Sequence, residues 1–140
     1  MGERPARTTT FGWLGDGGLG DGLIEQIIRG TKTATCAFRA AYDAEDPSEL
    51  AEALSGVGEL HAVEDASGRH RCTIRVTEIF ECPFGRPDPR LVAGEGDGDD
   101  AAKFQEDHRI AWESTMGDLP LTDEESLVVE LFELASVEPV

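Results

Sequence analysis

The chain has 140 residues with 12 basic and 29 acidic side chains, a formal net charge of −17 and a hydrophobic fraction of 39%. That length suits one domain with a modest core, and the charge disfavours tight, salt-driven binding along extended nucleic acid, double-stranded DNA above all. Three cysteines, Cys36, Cys72 and Cys82, are an odd set with no Cys-x-x-Cys pair, which argues against a disulfide framework and a structural zinc site.

The charge is uneven. Residues 1–42 hold five basic and four acidic side chains, whereas residues 43–140 hold seven and twenty-five. A surface that tolerates an anion therefore belongs to the first third. No apolar run reaches membrane-spanning length, and the first ten residues lack the apolar stretch of a secretory signal. A cytoplasmic protein with no membrane contact is expected, with residues 1–10 as a flexible tail and 11–140 as the domain.

The segment "GDGGLGDG" contains Gly-x-Gly-x-x-Gly at Gly15, Gly17 and Gly20. A dinucleotide site needs a buried strand before it, which "ERPARTTT" is not, and Asp16 and Asp21 would repel phosphate; the segment reads as a loop. Asp21 is the expected cap of a helix with Leu23, Ile24, Ile27 and Ile28 on one face, stopped by Gly30. From Thr31 to Arg39 the pattern turns strand-like.

"DPSE" has capping-box spacing with Pro47 at the first helical position, so a helix is expected over 46–55, ended by Gly56. Strands over 57–64 and 69–80 flank the turn "DASG". On the second of these strands Cys72, Ile74 and Val76 alternate with Arg71, Thr73 and Arg75. With Arg69 the arginines form a row that suits RNA, or serves as counterions to the chain's own carboxylates; in so acidic a protein the counterion reading is preferred.

"CPFGRPDP" breaks regular structure, and "AGEGDGDD" follows as a second loop. Asp97, Asp99 and Asp100 lack the calcium-loop spacing and suit a helix N-terminus instead. That helix, over 100–116, sets Phe104, His108, Ala111 and Trp112 on one stripe, where His108 reads as a hydrogen-bonded core histidine. A closing strand over 127–137 is expected to cover the sheet. The order of elements predicts an α+β fold built on a small curved sheet or barrel.

Several segments together resemble the ASCH family. They are Phe11-Gly12, Gly30-Thr31-Lys32-Thr33-Ala34-Thr35, Gly58-Glu59, residues 63–65, Cys72-Thr73-Ile74, Thr77-Glu78, Pro83-Phe84, Glu95-Gly96-Asp97 and His108. The resemblance covers about residues 11–135 and implies a PUA-like curved β-barrel flanked by helices, with an association with RNA and modified nucleosides. Two departures are Phe104, where relatives often carry tryptophan, and the longer glycine-rich insert after Gly12.

Some small members of that family are amidohydrolases that deacetylate N(4)-acetylcytidine with a lysine, a threonine and a glutamate. Carried over by position, this implies Lys32, Thr35 and Glu95 as catalytic residues: Thr35 to attack the acyl carbon, Lys32 to take its proton or hold the oxyanion, and Glu95 to orient the pair or relay a proton. An unperturbed lysine near pKa 10.4 is a poor base at neutral pH. Lys32 therefore needs desolvation or a neighbouring cation such as Arg29 or Arg39, or it remains charged beside Glu95 and acts as a fixed donor. Arg39, Arg71, Arg75 and His108 are the candidate substrate-binding side chains. No metal or cofactor is implied, and the expected partner is a modified nucleoside or a short single-stranded RNA. Two other readings stand beside the hydrolase: a non-catalytic RNA-binding module using the Arg69, Arg71 and Arg75 row, and a ribonuclease using Lys32 and His108.

Overall fold

The computed structural model describes residues 5, 7–12, 14–39, 51, 54–116 and 122–138, with the side chains of 111–116 outside that description. In chain order the elements are β1 (Arg7–Thr10), α1 (Leu19–Arg29), β2 (Ala34–Phe38), β3 (Leu60–Glu64), β4 (His70–Pro83), α2 (Pro89–Gly94), α3 (Ala101–Met116) and β5 (Ser126–Val137). The strands form one five-stranded sheet in the order β1-β3-β4-β5-β2, parallel only between β1 and β3. This is the expected α+β class, a curled half-barrel whose two edges are β1 and β2. Among the described residues no helix is long and apolar enough to cross a membrane.

Local chemistry accounts for most of the elements. Gly30 ends α1 in the left-handed region at φ 83°, and the amides of Thr31 and Lys32 both return to the carbonyl of Gln26. The β3–β4 hairpin turns on Asp65, whose carboxylate accepts from the amides of Ser67 and Arg69 at 3.0 Å each. Asp100 caps α3 by accepting from the Lys103 amide at 3.0 Å, as its acidic lead-in predicted.

Four expectations need correction. Residues 7–10 are not tail: the threonine run is a β-branched edge strand paired with β3, and an edge position needs no continuous apolar run. Asp21 is not the cap of α1, which starts at Leu19 after Gly18; the carboxylate of Asp16 meets the amides of Gly18 and Gly20 at 2.9 and 3.0 Å. "DP" at 88–89 opens α2, with Asp88 accepting from the Arg90 amide at 2.8 Å and Pro89 in the first turn. β5 does not cover the sheet but lies within it, between β4 and β2. The helix expected over 46–55 falls largely outside the described residues.

A bulge at Thr77 divides the core in two. Val76 pairs with Phe132 and Glu78 with Leu131, so Thr77 is the extra residue and the alternation of β4 changes face there. On one side Cys72 and Ile74 pack with Val63, Phe132, Phe11 and, from α1, Ile24 and Ile27. On the other, Cys82 packs with Ala34, Phe38, Leu127, Val129, Phe84, Leu91, Val92 and Phe104, beneath α2 and α3. The sheet thus has an α1 face and an α2/α3 face.

Candidate active site

The end of α1 delivers Lys32 to the free edge of β2. Thr33 donates its amide to the Gly94 carbonyl at 2.6 Å, tying this segment to the end of α2. The approach requires glycine, because a Cβ on Gly94 would lie 2.5 Å from that of Ala34. Glu95, the next residue, is thereby carried against Lys32. The two side chains are 3% and 8% exposed, and Lys32 Nζ donates to Glu95 Oε1 at 3.0 Å and to the Ala34 carbonyl at 2.6 Å.

Register sets the ammonium against the backbone just ahead of Thr35, while neither Lys32 nor Glu95 lines the cavity that takes the Thr35 side chain. The Thr33 carbonyl accepts from Phe132, so residues 33 and 35 hold the ladder to β5 and the Ala34 carbonyl points away from the sheet. Lys32 meets that carbonyl, which belongs to the peptide bond linking Ala34 to Thr35. Strand alternation then divides the neighbours. Cys36 shares the α2/α3 face with Ala34 and Phe38, whereas Thr35 and Ala37 share the α1 face with Val128 and Glu130.

On the α2/α3 side, Glu95 Oε2 lies 2.6 Å from His108 Nε2, and His108 Nδ1 donates to the Phe104 carbonyl at 2.8 Å. Both ring nitrogens therefore face acceptors, the arrangement of an imidazolium. At 2.6 Å this is a close ion pair between the carboxylate and the imidazole ring. Burial pushes the Glu95 carboxyl up, but His108 and Lys32 outweigh it and leave its pKa below the ordinary range. Burial likewise works to lower His108, and the Glu95 contact reverses it, leaving its pKa raised.

These directions set a pH dependence. Glu95 contributes stability above its ordinary value of 4.5 and loses it as pH falls through the lower folded value. His108 contributes fully below its ordinary 6.5 and loses it as pH rises through the higher folded value. The melting temperature is expected to fall on both sides of this window, with His108→Gln flattening the alkaline limb. An alkaline limb identical in His108→Gln would refute the coupling.

Cys36 Sγ, a Glu95 oxygen and a His108 nitrogen lie within 4.8 Å of one another. The set fits an ion-pair network better than a metal site. Lys32 already occupies Oε1, and 2.6 Å between Nε2 and Oε2 is shorter than the roughly 3.3 Å separating two ligands on one tetrahedral zinc. Burial, with Glu95 adding to it and Lys32 opposing, raises the Cys36 thiol well above its usual pKa, so it is a neutral thiol.

On the α1 face a cavity of about 290 Å³ opens between the two edge strands, lined by Thr9, Thr10, Phe11 and Gly12 from one side and Thr35, Ala37 and Glu130 from the other. The Arg69, Arg71 and Arg75 row does not join it. Arg71 is held by Asp21, Glu25 and Asp65, Arg75 donates to the Gly58 carbonyl at 2.6 Å, and exposed Arg39 pairs with Glu81. The structure therefore brings together Lys32, Glu95 and His108, with Thr35 one peptide away, and keeps Arg39, Arg71 and Arg75 apart from them. Glu130 is the residue sequence reasoning missed. Its signal was a lone carboxylate in "LVVELF", where both alternating sets are otherwise apolar.

The curled five-stranded half-barrel, with three helices among the described residues, defines the fold class. The chain matches the ASCH domain over residues 10–136 and belongs to that family. Among solved structures it is similar to a protein from Enterococcus faecalis V583, with a TM-score of 0.74 at 22% identity over 94% of this chain and 77% of that one. It is similar to an ASCH domain from Lactobacillus crispatus JV V101, with a TM-score of 0.72 at 24% identity over 94% and 82%. A point mutant of an ASCH protein from Zymomonas mobilis is more distant, with a TM-score of 0.53 at 12% identity over 95% and 73%. At these identities the likeness carries the fold. No curated protein matches the chain.

Proposed function

We propose that this protein is an amide hydrolase that removes the acyl group from a modified pyrimidine nucleoside of the N(4)-acetylcytidine kind. The observation that carries this reading is the Lys32–Glu95 pair, formed at 3.0 Å by residues 63 positions apart and seated one peptide from Thr35. A buried ion pair is an expensive way to stabilise a fold, which favours a chemical use for this one.

Thr35 lines the cavity, and its hydroxyl makes no hydrogen bond among the described residues. It is available to attack an acyl carbon. Lys32 is ion-paired with the Glu95 carboxylate, and an ammonium held in that way has no lone pair to offer as a base. It acts as a fixed positive charge that favours the oxyanion developing beside it. Glu95 holds the ammonium in place and His108 holds Glu95. The cavity is of the size that takes a small ligand, and a neutral nucleoside escapes the repulsion a polyanion meets at a net charge of −17.

The test is turnover of N(4)-acetylcytidine to cytidine and acetate, compared with Thr35→Val. The valine is nearly isosteric, so the melting temperature should hold while turnover falls at least about a hundredfold. Turnover surviving in Thr35→Val removes the nucleophile. Salt-sensitive binding of single-stranded RNA without any deacylation supports the binding-module reading instead.

A further inference from the structure

With Lys32 and His108 both committed as donors, the proposed hydrolysis lacks a proton acceptor on the α2/α3 side. Glu95 is caged between those two cations, and Cys36 is a neutral thiol. The acceptor is to be sought on the cavity side. There Glu130 is the cross-strand partner of Thr35, its side chain on the same face and lining the same cavity. Directly opposed residues of an antiparallel ladder hold their Cβ atoms about 5 Å apart, within reach of a carboxylate–hydroxyl hydrogen bond. Among the described residues the Glu130 carboxylate makes no hydrogen bond or ion pair, and His61 and Arg7 act on it only at longer range.

From this geometry we infer that Glu130 is the general base that takes the proton of the Thr35 hydroxyl, a role that rests on the hydrolase reading. In the first step the proton passes to the Glu130 carboxylate, the Thr35 Oγ1–acyl carbon bond forms, and the amide C–N bond breaks as Glu130 returns the proton to the leaving nitrogen. Water repeats the sequence: Glu130 takes its proton, the hydroxide oxygen bonds to the acyl carbon, and the ester C–O bond breaks. The proton then returns to Thr35, and the carboxylate product departs. Burial raises the Glu130 pKa, and the electrostatic influence of His61 on β3 and Arg7 on β1 tempers that rise. A base so raised is better matched to a hydroxyl proton than an ordinary surface carboxylate.

The test uses p-nitrophenyl acetate, an activated ester, with acetylation of the Thr35 peptide followed by mass spectrometry over a range of pH. Glu130→Gln keeps the shape and removes the base. It is expected to slow acetylation at least about a hundredfold and to abolish the ionisation seen in the wild-type rate profile. Cytidine binding and the melting temperature should stay near wild type, and Glu130→Asp should recover part of the rate. Acetylation of Thr35 at an unchanged rate in Glu130→Gln overturns the assignment, as does a wild-type protein never acetylated there. Glu130-dependent acetylation with no turnover of N(4)-acetylcytidine retires the substrate reading and leaves Glu130 as the base. Turnover that persists in Glu130→Gln does the opposite.

Discussion

Replacing Lys32 with methionine is expected to cut N(4)-acetylcytidine turnover by about 10²- to 10³-fold, the usual effect of removing one oxyanion donor from a dry site. It should also lower stability by roughly 3–5 kcal/mol, because Glu95 would stay buried against His108 with half of its compensation gone. The two losses have different causes and can be separated. In Lys32→Met with Glu95→Gln, the uncompensated carboxylate is also removed, so much of the stability should return while the activity does not. Urea unfolding and steady-state kinetics on the wild type and these two variants give the result directly. Activity recovering together with stability would mean that the lysine serves only the fold.

The second large effect concerns the glycine-rich insert. Gly20 crosses the exit of β1 so closely that a Cβ there would lie 2.5 Å from the Phe11 carbonyl oxygen and 2.6 Å from Gly12 Cα. Both obstacles are backbone and cannot rotate aside. Gly20→Ala should therefore destabilise the protein by about 1–3 kcal/mol or more. Because Phe11 and Gly12 line the cavity, the substitution should impair turnover as well. Gly22, two residues along the same helix, has nothing within 4 Å of an added Cβ. Gly22→Ala should stabilise by roughly 0.5–1 kcal/mol through the ordinary helix preference. Melting curves of the two variants test the packing explanation against a general intolerance of alanine in α1. Equal shifts in the same direction would refute it.

Of the Gly-x-Gly-x-x-Gly residues only Gly20 makes this approach, with Gly12 as its partner, and it lets a strand exit and a helix start pass at backbone distance. Gly15 and Gly17 face open space and serve the turn through their positive φ. The crossing has no local signal, because Phe11 and Gly20 meet only once β1 is paired with β3.

The sequence by itself determined the features whose causes lie within a few residues. The apolar face of α1 and its stop at Gly30, the hairpin at Asp65 and the acidic start of α3 are all local, and each formed as read. Lys32 and Glu95 came from the family resemblance, and their contact was an expectation with no local signature. Tertiary structure alone decided the rest. β1 depends on a partner more than fifty residues away, and the bulge at Thr77 changes which layer covers each half of β4. Glu130 acquires its place only from register with Thr35. Periodicity reports that side chains alternate, whereas pairing and layer packing decide what each side faces, and those depend on residues that local patterns do not see.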